Sequence, residues 1–312
     1  VIDCYNTGIV TGVNTVSGVV GENMGTVTDC YNEGSVNGND NTGGVVGFGD
    51  GDGGTVTDCY NTGNITGNNK VGGVVGGLDD DSSGRTVIGC YNTGIVTGIS
   101  YVGGVIGENN GTNSVVTDCY NTGGITGGTY VGGVVGHNSH TGSVTNCYNT
   151  GSVTGDESVG GVVGLSDGDA AVTNCYYYVD CCANSDSYGT ALTNEQMLRA
   201  ESFEGFDFET VWTMDGNPGY PYPKLINNFH TAVYAPIANS GDANGDGTVN
   251  AVDALVAMRY VLGVSTESLT PEQIAAADFN GDGAVNAVDA LLIMRFSLGL
   301  IEAVVKEPVQ DA

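Results

Sequence analysis

The sequence has little positive charge. Its 312 residues include 7 Lys plus Arg against 36 Asp plus Glu, and the formal net charge is −29. Because phosphate groups are bound by basic patches, this balance argues against nucleic acid and anionic membrane surfaces as partners. There is no apolar run of about 18 residues, so we expect no membrane insertion. Proline is scarce, at 6 residues, whereas glycine is abundant, at 53. The glycines recur periodically, which predicts a folded repeat rather than disorder.

Two short phrases recur through residues 1–178. The phrase CYN-x-G starts at six cysteines and a decayed copy, CYYYV, at a seventh: Cys4, Cys30, Cys59, Cys90, Cys119, Cys147 and Cys175. A second phrase, close to VGGVVG, starts 12 residues after each of the first six, as from Cys4 to Val16. Insertions fall only in the loops that follow it. Fixed length, β-branched residues and Gly-rich turns favour strands, so we predict a parallel β-solenoid of Gly-rich coils.

These phrases resemble the GLUG-motif repeats of secreted bacterial surface proteins, and the resemblance covers about residues 1–178. The usual leucine of the glycine phrase is mostly valine here, at Val74, Val105, Val134 and Val162. The resemblance implies a non-catalytic array outside the cell and assigns it no settled biochemical activity.

The repeat also leaves open a carbohydrate-active function, in which the solenoid binds or degrades a polysaccharide or another glycan. One tyrosine follows each CYN cysteine and is compatible with stacking either on sugars or on its neighbours: Tyr5, Tyr31, Tyr60, Tyr91, Tyr120 and Tyr148. A glycosidase needs two acids in different environments, whereas the aspartates recur once per coil and favour a corner role. Without a catalytic constellation, enzymatic activity stays undecided, and a hydrolase module upstream stays open.

The periodicity is lost after residue 178. Residues 179–226 contain a capping box, formed by Thr193 and Gln196, and the single tryptophan, Trp212. The open end of a solenoid needs a terminating element, so we predict that this segment is the C-terminal cap. Residues 227–240 show no pattern and are predicted to be a linker.

Two 12-residue segments, 242–253 and 278–289, have the ligand spacing of an EF-hand calcium loop. Gly247 and Gly283 occupy the position where such a loop turns sharply. Oxygen donors fall at loop positions 1, 3, 5, 7, 9 and 12, with a backbone carbonyl at position 7. The predicted ligands of two Ca²⁺ ions are Asp242, Asn244, Asp246, Thr248, Asn250, Asp253, Asp278, Asn280, Asp282, Ala284, Asn286 and Asp289.

Each loop leads into a predicted helix, at 252–263 and 288–299, and leucines and methionines recur along one stripe of both. This duplicated loop and helix resembles a type I dockerin over residues 241–303, with a tail at 304–312. The resemblance implies calcium-dependent docking onto a cohesin domain of a scaffoldin or surface anchor protein, in a cellulosome-like complex. Carried over residue by residue, the positions that contact the cohesin are Ala251, Val252, Arg259, Ala287, Val288 and Arg295.

The predicted architecture is therefore a mostly β repeat solenoid followed by a small all-α domain with paired calcium loops. Because the chain opens inside a repeat, we expect it to be a fragment of a larger secreted bacterial protein. Its predicted location is extracellular, in a secreted or cell-surface complex. The two loop–helix copies carry the same Ala–Val pair and the same arginine, which predicts that either copy can meet the partner.

Overall fold

The computed structural model describes residues 1–50, 54–78, 84–182, 188–214, 222–226, 241, 243–244, 249–263, 271–279 and 285–298. The chain divides into two units. One comprises Val1–Met214 and Tyr222–Asn228, and the other comprises Asp215–Pro221 and Phe229–Ala312. No helix in the described part of the chain is long and apolar enough to span a membrane.

The first unit is a parallel β-solenoid of about six coils, as predicted. One coil consists of five short strands, for example Thr26–Thr28, Tyr31–Asn32, Val36–Asn37, Asp40–Gly43 and Val46–Gly49. Each strand pairs in parallel with its equivalents in the neighbouring coils, so five sheets run along the solenoid axis. We name them sheets A to E in the order in which one coil crosses them.

The strands of each sheet occupy equivalent positions in successive coils. Sheet A contains Thr26–Thr28, Thr55–Thr57, Thr86–Ile88, Val115–Thr117, Ser143–Thr145 and Ala171–Thr173. Sheet B contains Tyr5–Asn6, Tyr31–Asn32, Tyr60–Asn61, Tyr91–Asn92, Tyr120–Asn121, Tyr148–Asn149, Tyr176–Tyr178 and Thr190–Leu192. Sheet C contains Val10–Thr11, Val36–Asn37, Ile65–Thr66, Val96–Thr97, Ile125–Thr126 and Val153–Thr154.

The two remaining sheets contain the glycine phrase. Sheet D contains Asn14–Ser17, Asp40–Gly43, Asn69–Gly72, Ser100–Gly103, Thr129–Gly132 and Glu157–Gly160. Sheet E contains Val20–Asn23, Val46–Gly49, Val75–Leu78, Ile106–Asn109, Val135–Asn138 and Val163–Ser166. The glycines allow close backbone approach: a Cβ on Gly73 would lie 2.1 Å from the carbonyl oxygen of Gly104 in the next coil.

Valines and cysteines fill the interior of the coils. All nine cysteines are free thiols, and those of the repeated phrase are buried from Cys30 to Cys175. The thiol of Cys30 donates a hydrogen bond to the carbonyl oxygen of Thr28, and the later cysteines repeat this contact. Burial raises the pKa of the Cys90 and Cys119 thiols well above the usual value. The cysteine column is therefore a structural, unreactive column.

A ladder of asparagine side chains runs through the same interior. Each Nδ2 donates to the carbonyl of a glycine two residues further along its own coil at 2.7–2.9 Å. Each except the last, Asn149, also donates to the Oδ1 of the asparagine in the next coil at 2.7 or 2.8 Å. The ladder consists of Asn6, Asn32, Asn61, Asn92, Asn121 and Asn149. Because buried amides are costly without partners, this ladder fixes the register of the coils.

The segment after the repeat contains short elements. Helix α1 (Asn194–Met197) begins at the predicted capping box, followed by a 3₁₀ turn at Ala200–Ser202. Trp212–Thr213 pairs antiparallel with Lys224–Leu225. Trp212 is fully buried beside the rings of Tyr148 and Phe206, and its Nε1 donates to Asp118 Oδ1 at 3.1 Å. Trp212 and the apolar residues around it therefore cover the flank of sheet B near the last coils.

The second unit contains three described helices: α2 (Ala251–Val261), α3 (Pro271–Ala277) and α4 (Ala287–Ser297). Its apolar core consists mostly of small side chains, with two larger exceptions: Ala243, Ala254, Ala257, Ala277, Ala290, Phe279 and Ile293. The predicted leucine stripe is not the core, since Leu255 and Leu291 are exposed. Met258 and Met294 are half-buried against the alanine core.

Candidate calcium loops and docking face

Each predicted calcium loop enters its helix through the same capping geometry. Asn250 caps α2: its side chain accepts a hydrogen bond from the backbone N–H of Val252 at 2.8 Å. The Oδ2 of Asp253 accepts one from the N–H of Asn250, also at 2.8 Å. Loop positions 9 and 12 therefore hold the start of the helix.

The second loop repeats this arrangement. Asn286 caps α4 and accepts from the N–H of Val288 at 2.8 Å, while Asp289 Oδ2 accepts from the N–H of Asn286 at 2.9 Å. The N-cap residues have matching extended backbones, with φ of −146° at Asn250 and −143° at Asn286. The sequence duplication is thus a structural duplication at the loop exits.

The last ligand position of each loop is buried. Asp253 and Asp289 have no exposed surface, and Asp253 also accepts through Oδ1 from the N–H of Asn244 at 3.1 Å. A buried carboxylate is stabilised by hydrogen bonds and by a nearby cation. Carboxylate, amide and carbonyl oxygens are the donors that Ca²⁺ takes, so the described part of each loop fits this ion.

Half of the predicted ligands lie in the described part of the chain. These are Asn244, Asn250, Asp253, Asp278, Asn286 and Asp289. The others, Asp242, Asp246, Thr248, Asn280, Asp282 and Ala284, lie outside it. Among the described residues, no group of three or more His, Cys, Asp or Glu side chains is placed to hold a metal. The complete ligand set therefore stays a prediction.

The residues predicted to contact a cohesin lie at the surface of α2 and α4. In α2, Ala251 and Arg259 are exposed and Val252 is 52% exposed. In α4, their equivalents are also exposed: Ala287, Val288 and Arg295. Each helix thus presents the three predicted positions to solvent.

On each helix, two exposed leucines lie on the same face as the predicted contact residues and form a row with them. Leu255 and Leu262 are 49% and 64% exposed, and they lie 3 and 10 residues after Val252 (252 to 255, 252 to 262), on the same helix face. Leu291 and Leu298 occupy the matching positions of α4, at 57% and 64%. Exposed leucines in such rows are typical of an interaction surface. The apolar periodicity of the sequence places these leucines on one face of each helix, but it does not distinguish a docking face from a core face.

The tyrosine column of sheet B is a stacked aromatic ladder. Neighbouring rings from Tyr5 to Tyr148 lie 4.9–5.2 Å apart, with interplanar angles of 2–8°. The ring faces therefore cover one another, and the residues around Trp212 cover the last members. Of the two alternatives for this column, the geometry favours stacking between coils over a platform for sugars.

The aspartate column lies at a corner with left-handed backbone. Its members share φ values of 51–63°: Asp3, Asp29, Asp58, Gly89, Asp118, Asn146 and Asn174. Asp, Asn and Gly are the residues that adopt this conformation most readily, which explains why these three types alternate there. The conformation accounts for the column without a catalytic role.

A β-solenoid and a separate helical unit with duplicated loop–helix segments define a class of protein that combines a repeat array with a docking module. Residues 240–296 match the family model of the dockerin type I domain, and residues 127–154 match that of the GLUG motif. The chain thus carries a type I dockerin domain after a β-solenoid that contains a GLUG motif at residues 127–154. Calcium binding and cohesin binding follow from the dockerin family.

One solved structure resembles the chain in fold. It comes from Bacteroides ovatus, was determined at 1.30 Å resolution, and is described as a "putative immunoglobulin A1 protease". It aligns with a TM-score of 0.55 and 20% sequence identity, covering 71% of this chain and 74% of that one. At this identity the likeness shows the fold alone. No curated protein sequence matches the chain.

Proposed function

We propose that residues 241–303 bind two Ca²⁺ ions and dock onto a cohesin domain of a scaffoldin or cell-surface anchor protein. The solenoid is then the non-catalytic cargo, part of a larger secreted bacterial protein. The observation that carries the proposal is the paired geometry: identical capping at both loop exits, followed by identical exposed rows on α2 and α4. An extracellular or cell-surface location accords with the dockerin domain.

Calcium contributes charge compensation and folding energy in this proposal. Asp253 and Asp289 would hold the ions together with Asn244, Asn250, Asp278 and Asn286, and with the loop positions outside the described residues. Each loop supplies three carboxylates, which repel one another until a cation binds. Because a unit of about 60 residues buries little apolar surface, ion binding contributes to its folding.

The duplicated rows support docking in two orientations. A partner that meets Ala251, Val252 and Arg259 finds the same side chains at Ala287, Val288 and Arg295. The two helices can therefore exchange roles by rotating the domain about half a turn. An Ala–Val pair at the contact favours a cohesin with an apolar patch opposite it.

The test is a pull-down of the full chain by an immobilised cohesin panel, in calcium and in EDTA. We expect capture in calcium and its loss in EDTA. Val252→Asp and Val288→Asp are each expected to keep most capture, whereas the double variant loses it. These side chains are half exposed, so the variants should keep their calcium-bound fold, checked by helical circular dichroism. Capture that persists in EDTA, or is abolished by one single variant, contradicts the calcium or the two-orientation proposal respectively.

A further inference from the structure

One face of the solenoid departs from the repetition seen elsewhere. In sheets B and C similar side chains recur from coil to coil. At sheets D and E, by contrast, the type of side chain differs from coil to coil at two neighbouring sets of equivalent positions, which we call columns. The first, called the bulge column, contains Thr15, Asn41, Lys70, Tyr101, Tyr130 and Ser158. The second, called the sheet-E column, pairs in register through Glu22, Phe48, Gly77, Glu108, His137 and Leu165.

The bulge column has a backbone that does not suit its side chains. Its residues have φ of 50–57°, and the pairing of sheet D passes over them, since Asn69 pairs with Ser100 and Val71 with Val102. A non-glycine residue in this left-handed region costs about 1–2 kcal/mol, and only Asn and Asp tolerate it well. The aspartate corner is occupied by Asp, Asn and Gly, whereas the bulge column has a lysine and two tyrosines at Lys70, Tyr101 and Tyr130. Backbone preference therefore does not account for these three side chains.

The tyrosines of the bulge column form an aromatic group beside the sheet-E column. Tyr101 and Tyr130 stack with ring centroids 4.9 Å apart. The His137 ring lies 5.5 Å from Tyr101 and 5.4 Å from Tyr130. Both tyrosines are half-buried, so each keeps part of its ring at the surface. Unlike the sheet B ladder, this group does not belong to the aromatic cluster that the described residues around Trp212 form.

A chain of charged groups runs beside the rings. Lys70 Nζ lies 2.7 Å from Glu108 Oε2, and Gly77 leaves room for the lysine chain, since a Cβ there would be 3.2 Å from Lys70 Cδ. His137 lies between two carboxylates, with Nδ1 3.5 Å from Glu108 and Nε2 3.3 Å from Asp167. Hydrogen-bond donors and acceptors thus alternate along the axis, and the Asp167 side chain is 53% exposed.

We propose that this face, from Lys70 to Asp167, binds an uncharged polysaccharide lying along the solenoid axis. Sugar hydroxyls both donate and accept, so they suit the partly exposed Lys70 ammonium and Asp167 carboxylate at the two ends of this face and the half-buried tyrosines between them. Glu108 and His137 are mostly buried and hold these end groups in place. The groups come from four successive coils and span about 14 Å at ~4.8 Å per step, which fits an extended chain rather than a single sugar. The net charge of −29 disfavours polyanions. Partly exposed aromatic rings contribute apolar contact area for sugar rings.

The test compares variants that keep the backbone. Tyr101→Asn with Tyr130→Asn places at both positions the residue that the column already has at Asn41, so the fold should persist. Native affinity electrophoresis of the full chain would use soluble hydroxyethylcellulose, xylan and galactomannan as neutral probes and polygalacturonate as the acidic one. We expect at least one neutral probe to retard the wild type, and the double variant to lose affinity by about tenfold or more.

Ser158→Asn is the matched control, because it introduces the same residue in the same column, one coil beyond the aromatic pair. It should bind like the wild type. Thermal unfolding of each variant separates lost binding from lost folding. The proposal is overturned if no neutral polysaccharide retards the wild type. It is also overturned if polygalacturonate retards it equally, or if the folded double variant binds unchanged. None of these results bears on cohesin docking, which depends on the other unit.

Discussion

The two units of this chain use duplication in opposite ways. In the solenoid, copies stack on one another, and equivalent residues such as Asn61 and Asn92 bind each other directly. In the dockerin, the copies at α2 and α4 share an alanine core and present equivalent residues outward. In the first arrangement the repeats stabilise one another along the axis. In the second they present two equivalent exposed faces, which we propose are used for docking. The units should therefore respond differently to the same perturbation.

Calcium removal should separate the units most clearly. In EDTA we expect the helical circular dichroism signal and cohesin capture to be lost, while the β signal and its thermal transition persist. The reason is that the solenoid is held by backbone and amide ladders, whereas the dockerin depends on ions. A single transition that shifts as a whole on adding EDTA would contradict this independence.

Removing one amide from the asparagine ladder should damage only the solenoid. Asn92→Ala deletes hydrogen bonds to Asn61, Asn121 and Gly94 in a fully buried site. We expect a loss of about 2 kcal/mol in the free energy of unfolding, measured by urea denaturation.

The matched control for the ladder is Asn68→Ala. The Asn68 side chain is exposed and makes a single 3.4 Å contact with Asn39. Its loss should change stability by less than about 0.5 kcal/mol. Equal effects of the two variants would show that the ladder contributes nothing beyond an ordinary surface amide.

The exposed leucines should matter for docking and not for folding. Leu255→Ser with Leu291→Ser removes one leucine from each row, so neither orientation keeps an intact face. We expect cohesin affinity to fall by about tenfold, measured by calorimetry, with the calcium-bound melting temperature unchanged. Ala254→Leu, which alters the buried side of the same helix, should instead destabilise the unit. A melting temperature lowered as much by the leucine pair as by Ala254→Leu would place these leucines in the core.

The smallest expected effect is a pH dependence at His137. Burial tends to lower the pKa of His137, but Glu108 and Asp167 raise it above its usual 6.5. Burial tends to raise the pKa of Glu108, but His137 and Lys70 lower it below its usual 4.5. The histidine contribution is complete below pH 6.5 and is lost as pH rises through its raised pKa. The glutamate contribution is present above pH 4.5 and is lost as pH falls through its lowered pKa.

Stabilisation by this group is therefore greatest between pH 4.5 and 6.5. The wild-type melting temperature should therefore fall as the pH rises above 6.5, and His137→Leu, which copies Leu165 of the next coil, should remove that fall. The expected size is about 1 kcal/mol or less, because Asp167 is half exposed. A wild-type melting temperature that does not change between pH 5 and pH 8 would contradict the ion-pair chain.

Much of the fold could be predicted from the sequence because it depends on period. The constant spacing from Cys4 to Val16 and its repeats predicts equivalent strands. The duplicated loops predict helices from 252 and 288, and the helices begin at Ala251 and Ala287. The role of the ladder asparagines was missed. Their strands are two residues long, too short for alternation to show which side chain faces inward. The recurrence of Asn after every Cys–Tyr pair was the available signal.

The exposed leucines of α2 and α4 and the bulge column show two other reasons why features of the structure could not be predicted from the sequence. Leu255 and Leu291 follow core periodicity, yet the buried positions of the two helices are occupied mainly by small residues such as Ala254 and Ala290. The left-handed backbone at Lys70 and Tyr101 is not indicated by residue type, since Lys and Tyr rarely adopt it. Local preference is overridden in both places by packing between elements that are distant in sequence.

The asparagine ladder also has a direction and an end. Every amide from Asn6 to Asn121 donates toward its C-terminal neighbour, so the amide dipoles are aligned along the axis and each of these asparagines is paired by the next coil. At the seventh position the amide is replaced by Tyr177, whose ring lies where a Cβ on Gly161 would be 2.3 Å away. Tyr177 has no side-chain amide, so the hydrogen-bonded ladder ends at Asn149. Because the interior repeats from coil to coil, it would stay the same if whole coils were added or removed upstream of Tyr177.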